Sequence, residues 1–258
     1  MIVLGIAGFA RSGKDTFVSI AKEILGKNGY TAIRVAFADK LKEEVVDMLK
    51  DNGFKADVYT INTDDKTLLR PLLVWWGCQR RRESVGGLYW VEQAGKKIEE
   101  TLEIASNPLV DINQIVFLVS DVRFPNESSW VKQSHNGEVI HLKRYTASKR
   151  YEVDIPNNHP HDYPDYPSER LQDAIRAHYA LTTDYKFSIR EVEHREFDPA
   201  PNDEELKQDP LVIAMADQKV EWANKGNLPP EKAVLEPYLR QVVFETLNKS
   251  QFFNGSLQ

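Results

Sequence analysis

The N-terminal segment constrains the fold of this chain more than any other. An apolar run, IVLGIA (2–7), is followed directly by GFARSGKDT, which carries the pattern Gly-x4-Gly-Lys at Gly8, Gly13 and Lys14. The apolar run predicts a buried strand, and apolar side chains recur at helical spacing after Lys14. A strand, a glycine-rich turn and a helix in this order predict a loop that cradles phosphate groups.

The chain then alternates between strand-like and helix-like segments. The strand-like segments are 32–38, 114–120, 138–144 and, as a last candidate, 185–191. The helix-like segments are 39–49, 66–82 and 87–105, with Asp39 as a candidate N-cap and a further helical stretch around Trp130. This alternation predicts an α/β fold in which a mostly parallel sheet carries helices on both faces.

Less regular segments suggest how the chain is organised. Residues 151–169 contain four prolines and predict an ordered loop or lid. Residues 196–210 are acidic and interrupted by prolines, which predicts a solvated connector, and 228–249 return to helical periodicity. We therefore expect one α/β domain over 1–192 that contains the glycine-rich loop, with an acidic connector and a C-terminal helical extension, 193–258, packed on it.

Composition narrows the function classes. The net charge of −6 weakens a nucleic-acid role, although a local basic strip could do the same work. The single cysteine, Cys78, excludes an internal disulfide and suits a reducing compartment. No apolar run approaches the roughly 20 residues that span a bilayer, and no leader segment is evident. We expect a cytoplasmic protein without a membrane partner.

The glycine loop supplies the candidate nucleotide-binding residues. Its N–H groups and the helix N-terminus favour an anion, and the lysine can reach terminal phosphate oxygens. Asp15 stands where a serine or threonine usually follows the lysine. It could hold magnesium or pair with an arginine, or it could simply suit a helix N-terminus. The candidates are Gly8, Arg11, Ser12, Gly13, Lys14, Asp15 and Thr16.

A second motif, VSDVRFPNE (119–127), ends the most strand-like segment of the chain. The carboxyl ends of strands are where open α/β sheets bind ligands. Asp121 could orient magnesium, and Arg123 could fork onto a phosphate. The alternative is an ion pair between Asp121 and Arg123 that is only structural.

A third segment combines cations and rings. Three arginines end one predicted helix, and two aromatic residues open the next, a mixture that can clamp a phosphate and a base. Against this, the tryptophans could belong to the core, and three consecutive arginines point in different directions. FADKLK (37–42) is a weaker fourth element. The candidate substrate-binding residues are Arg80, Arg81, Arg82, Tyr89, Trp90, Asp39 and Lys40, together with Arg123.

These motifs, in this order, resemble the deoxynucleoside monophosphate kinases of bacteriophages. The resemblance covers GFARSGKDT, FADKLK, LLVWWG through YWVEQ, and DVRFPNE followed by GEVIHLKR, with HDYPDYPSER as a later match. It fades after about residue 192. The segment after LLVWWG departs from the family's pattern, since Cys78 and the three arginines follow.

The resemblance implies a P-loop kinase fold, ATP and Mg²⁺, and transfer of the γ-phosphoryl group to a deoxynucleoside 5′-monophosphate by a monomer or homodimer. Lys14, Asp15, Asp121 and Arg123 would act in transfer, and Asp15, Thr16 and Asp121 would serve the metal. Two alternatives stay open: a kinase that phosphorylates a hydroxymethylated base in DNA, and a nucleotide-binding or ATPase module without phosphotransfer.

Overall fold

The computed structural model describes residues 1–60, 62–105, 111–154, 161–163, 188–200 and 202–223. The predicted C-terminal helix at 228–249 and most of the predicted lid lie outside these residues. Within the described part, no helix combines the length and apolarity that a membrane crossing requires.

The order of elements follows the predicted alternation. The strands are β1 (Ile2–Ala7), β2 (Thr31–Val35), β3 (Ile115–Val122), β4 (Glu138–Asp154), β5 (His161–Tyr163), β6 (Ser188–Phe197) and β7 (Gln218–Ala223). The helices are α1 (Lys14–Lys27), α2 (Phe37–Asp51), α3 (Thr63–Glu83), α4 (Tyr89–Ile104), α5 (Pro125–Ser129) and α6 (Asp203–Met215). A π-helical turn, Trp130–Ser134, continues α5, and 3-10 turns lie at Val85–Gly87 and Ile112–Gln114.

The described residues divide into two compact units. In the first, formed by 1–143 and 199–221, β1 pairs in parallel with β3 and with the start of β4, and β2 pairs in parallel with β3. In the second, which contains the described residues of 144–198 with 222–223, the end of β4 pairs antiparallel with β5 and β6. The predicted α/β fold with a mostly parallel sheet is confirmed. The predicted domain boundary near residue 192 stays a prediction.

The core of the first unit forms around β1 and β3. On one face of the sheet, Val3 and Phe117 belong to the same buried cluster as Trp90 and Ile98 of α4. Because side chains alternate along a strand, Leu4 points to the opposite face, where it is also buried. Central strands that are buried on both faces explain why their sequences are almost continuously apolar.

The predicted start of α2 was wrong. The helix begins at Phe37, after Ala36, and Asp39 is not its N-cap. Both carboxylate oxygens of Asp121 accept hydrogen bonds there, from the N–H groups of Phe37 (2.8 Å) and Ala38 (2.9 Å). The cap therefore comes from the end of β3, a distant part of the chain, and β2 ends at Val35 rather than at residue 38.

Two segments predicted to be irregular are in part regular. The predicted connector at 196–210 contains the first turns of α6, because Asn202 caps the helix and Glu205, Asp209 and Val212 form a buried face. Within the segment predicted as a lid, residues 151–154 extend β4 and 161–163 form β5. The extension of β4 follows from its pairing with β6, which no local sequence pattern reveals.

Candidate phosphate-binding site

The glycine loop joins the carboxyl end of β1 to the first turn of α1. Gly8, Arg11 and Gly13 have φ values of 129°, 69° and 89°. A Cβ atom on Gly8 would lie 2.3 Å from the carbonyl oxygen of Leu142 on β4. Only glycine fits there, so the chain can turn tightly against β4. Arg11 holds a left-handed backbone conformation that is costly for a residue with a side chain, as is common at ligand sites.

Lys14 is folded onto its own loop. Its Nζ donates hydrogen bonds to the carbonyl oxygens of Gly8 (2.7 Å) and Phe9 (2.6 Å), and the residue is 8% exposed. Burial, together with the smaller effect of the nearby Arg123 guanidinium, lowers the pKa of Lys14 from its ordinary value of 10.5 to about 8. The carboxylates of Glu205, Asp121 and Asp15 act in the opposite direction. The loop thus carries a buried amine among several charged groups.

Glu205 of α6 contacts the glycine loop directly, although no sequence motif pointed to it. Its Oε2 accepts a hydrogen bond from the N–H of Ala10 at 3.0 Å. Its Oε1 accepts from Arg123 Nη1 at 2.7 Å and from Asn202 Nδ2 at 3.2 Å. The structural pair suggested for Arg123 and Asp121 is therefore replaced by a pair between Arg123 and Glu205. The signal that could have revealed the helix is Asn202 with a glutamate three residues later, a capping pattern.

The strand-end motif is held by Glu127. This carboxylate is 2% exposed and accepts hydrogen bonds from the N–H groups of Arg123 (2.8 Å) and Phe124 (3.1 Å). It also pairs with Arg81 Nη2 at 2.5 Å, and the Arg81 guanidinium lies 3.5 Å from the centroid of the Phe124 ring. Arg81 is therefore committed to fixing the turn that presents Arg123.

Arg80 belongs to a different cluster, centred on Glu44 of α2. Glu44 accepts hydrogen bonds from Arg80 Nε (3.0 Å), from Trp76 Nε1 (2.9 Å) and from the Tyr89 hydroxyl. The Arg80 guanidinium lies over the rings of Trp76 (5.0 Å) and Tyr89 (5.1 Å). Burial works to raise the pKa of Glu44, but the three hydrogen bonds outweigh it, so the pKa lies below its ordinary value. Sequence reasoning missed Glu44, which sits in an ordinary charged helix.

The other candidate residues divide between surface and core. Arg82 is exposed, and Asp39 and Lys40 form surface pairs with Arg34 and Glu43. Trp90 is 3% exposed and donates from Nε1 to the carbonyl oxygen of Gly77, so it packs as a core residue.

A second buried acid of α6 meets β4 beside the loop. Asp209 Oδ1 lies 2.7 Å from Nε2 of His141, which is 2% exposed. His141 pairs in register with Ala7, the last residue of β1 before the loop. Glu205 and Asp209 thus attach α6 to the glycine loop and to β4.

A divalent cation would find oxygen donors at the start of α1. Asp15 is exposed and Thr16 half-buried in the first turn of that helix. Among the described residues no group of three or more acidic, histidine or cysteine side chains could hold a metal. A magnesium ion that is bound mainly by phosphate needs only one or two protein carboxylates, so Asp15 and Thr16 fit this cation.

Comparison with known proteins gives little beyond the geometry. No family model matches the sequence, and no curated protein does. The solved structures that match include dephospho-CoA kinase from Campylobacter jejuni. It is 15% identical, with a TM-score of 0.40, and the match covers 96% of this chain and 98% of that chain. At this identity and TM-score, the likeness identifies neither the reaction nor the substrate of this chain.

Proposed function

We propose that this protein is a phosphotransferase that moves the γ-phosphoryl group of ATP to a deoxynucleoside 5′-monophosphate. The observation that carries the proposal is the loop from Gly8 to Lys14, which lies between a central strand and a helix N-terminus. Its left-handed turns, its buried lysine and the dipole of α1 form an arrangement suited to a polyphosphate. The resemblance of the sequence motifs to the phage kinases supplies the acceptor.

On the donor side, Lys14 would leave its two carbonyl partners for the phosphate oxygens of ATP. The first turn of α1 would present Asp15 and Thr16 toward Mg²⁺, which neutralises phosphate charge when it is bound. Asp121 remains a candidate near this group, although both of its oxygens already accept backbone hydrogen bonds. Its first role is to fix the start of α2.

On the acceptor side, Arg123 and Arg80 are the stronger candidates among the arginines. Arg123 Nη1 is held by Glu205, and its side chain is 38% exposed. Arg80 is held through Nε, which leaves the fork of its two Nη atoms for an incoming phosphate. The rings of Trp76 and Tyr89, which both lie near the Arg80 guanidinium, could also stack with a base. Arg81 is used by Glu127, so we assign it no ligand.

The test is an ATP-consumption screen across deoxy- and ribonucleoside monophosphates, with single-stranded and duplex DNA as further acceptors. We expect turnover with one or more deoxynucleoside monophosphates and loss of turnover in Lys14→Ala. Lys22→Ala is the matched control, because it removes an exposed lysine from the same helix. Thermal unfolding of both variants checks that they fold.

Each other outcome has a definite meaning. Transfer to an oligonucleotide alone would favour the kinase that acts on a base in DNA. ATP hydrolysis without any acceptor would favour an ATPase module. Normal turnover in folded Lys14→Ala would refute the assignment of the loop.

A further inference from the structure

The carboxylate of Glu205 accepts a hydrogen bond from a backbone N–H of the glycine loop, a group that could otherwise donate to a ligand. It is bound by three donors from three parts of the chain: the backbone N–H of Ala10, the guanidinium of Arg123 and the side-chain amide of Asn202. Glu205 is only 8% exposed, so these hydrogen bonds are made by a buried side chain and not by a mobile one on the surface.

The three donors are those that proteins use for phosphoryl oxygens. Backbone N–H groups in glycine loops, arginine forks and side-chain amides all donate to oxyanions. A carboxylate offers two negatively charged oxygens to the same donors and can therefore take the place of a phosphoryl group. Of these donors, only Arg123 was expected from the sequence to bind phosphate through its side chain.

The carboxylate and a phosphoryl group cannot share this position. Both groups are anions, and like charges in contact at a partly buried site repel each other strongly. Glu205 lies in the first turn of α6, where the helix is capped by Asn202, which accepts from the Glu205 N–H at 2.8 Å. Its side chain can therefore rotate away while the cap keeps the helix in place.

We propose that the Ala10 N–H, Arg123 and Asn202 form a binding position for one phosphoryl group, and that Glu205 holds this position as an internal ligand until a polyphosphate displaces it. The inference rests on the proposed function, since it assumes that the loop binds polyphosphates. Glu205 is then a competitor within the chain. The apparent affinity for a polyphosphate equals the intrinsic affinity multiplied by the fraction of molecules in which Glu205 does not occupy the position.

The experiment compares the affinities of Glu205→Ala, Glu205→Gln and Glu204→Ala for inorganic pyrophosphate and for ATP, by calorimetric titration. Pyrophosphate carries no base or sugar, so it reports on the loop alone. Glu204 is the matched control because it is an exposed neighbour of equal charge in the same helical turn. We expect Glu205→Ala to bind pyrophosphate about tenfold more tightly than the wild type, as when a competitor that fills about 90% of the sites is removed. Glu205→Gln should lie between the two, and Glu204→Ala should match the wild type.

Several results would overturn the inference. Suppose that the wild type binds ATP but the folded Glu205 variants bind pyrophosphate no more tightly than the wild type does. The internal ligand is then refuted, and the proposed function stands. Equal tightening in Glu204→Ala would show that net charge is the cause. If neither the wild type nor any variant binds ATP or pyrophosphate, both the inference and the proposed function fail. If Glu205→Ala does not fold, Glu205→Gln, which keeps the side-chain shape, decides.

Discussion

Lys14 shows how one residue can work against folding in order to serve a ligand. The amine is buried and donates to two carbonyl oxygens, and burial lowers its pKa to about 8. In the unfolded chain the pKa returns to its ordinary value of 10.5. The protonated amine has a higher free energy in its buried site than in water, so it destabilises the folded state whenever it carries its charge. A bound phosphate would remove that penalty.

The penalty should be visible in the pH dependence of stability. Between pH 8 and 10.5 the unfolded chain binds more protons at this site than the folded chain, so the free energy of unfolding rises with pH. We expect the stability of the wild type relative to Lys14→Met to rise by up to about 3 kcal/mol across this interval, as 1.36 kcal/mol per pKa unit gives. Urea unfolding at pH 8, 9 and 10.5 measures this rise. Lys22→Met is the control, and the stability of the wild type relative to this variant should not rise with pH. A rise of equal size relative to both variants would contradict the assignment to Lys14.

Arg80 and Arg82 are close in sequence but differ in what surrounds them. Arg80 is held by Glu44 and lies over two rings, whereas Arg82 is exposed. We expect Arg80→Lys to raise the KM for the acceptor monophosphate about tenfold, because lysine loses the fork of a charge-assisted contact. Arg82→Lys should leave the KM unchanged. Steady-state kinetics at saturating ATP separate the two, and equal effects would show that neither position is special.

At the scale of elements, α6 is the helix that the sequence concealed. Its residues are acidic and include Pro210, a pattern typical of a solvated connector. The helix forms because acids on one face find partners elsewhere: Glu205 meets Arg123 and the loop, and Asp209 meets His141. Such partners lie far away in sequence, so no local pattern could have predicted them.

The contact between Asp209 and His141 should be important for stability. Asp209→Ala leaves a buried imidazole without this partner, and an unpaired buried polar group costs about 1–3 kcal/mol. We expect a loss of that size in the free energy of unfolding, measured in urea. Lys207→Ala, at an exposed position of the same helix, should change it by less than about 0.5 kcal/mol. If Asp209→Ala loses no more unfolding free energy than Lys207→Ala, solvent already provides His141 with a hydrogen-bond partner.

At the scale of the whole molecule, the sequence predicted the features that are encoded by residues close to one another in the chain. The apolar runs of β1 and β3 and the glycine loop after β1 contain their own signals, and the parallel sheet followed from their alternation with helices. The sequence did not predict contacts made across the fold. Asp121 capping α2, Glu44 holding Arg80 and Glu205 reaching the loop all join distant segments. The geometry of the candidate site depends mostly on contacts of this second kind.

The acidic charge of the whole chain favours a small acceptor over DNA. With a net charge of −6, we expect only weak binding to a single-stranded oligonucleotide. We also expect the KM for the monophosphate to change moderately with salt. A DNA-binding enzyme would instead show a slope of about −0.7 per contacted phosphate in a plot of log affinity against log salt. Fluorescence anisotropy with the oligonucleotide and steady-state kinetics with the monophosphate, at salt concentrations from about 50 to about 300 mM, measure both. A steep slope for the oligonucleotide would favour the DNA base as acceptor.

The position of β1 in the sheet has a consequence for how the protein is made. Its two neighbours, β3 and β4, follow it by more than one hundred residues, with Val3 opposite Phe117 and Leu4 opposite Glu138. A ribosome adds about 5–20 residues per second, so this apolar strand waits on the order of ten seconds for its first partner to be synthesised. During that time it is an unpaired edge on a nascent chain. The yield of folded protein should therefore depend on translation speed and on chaperones that shield the N-terminal segment during synthesis.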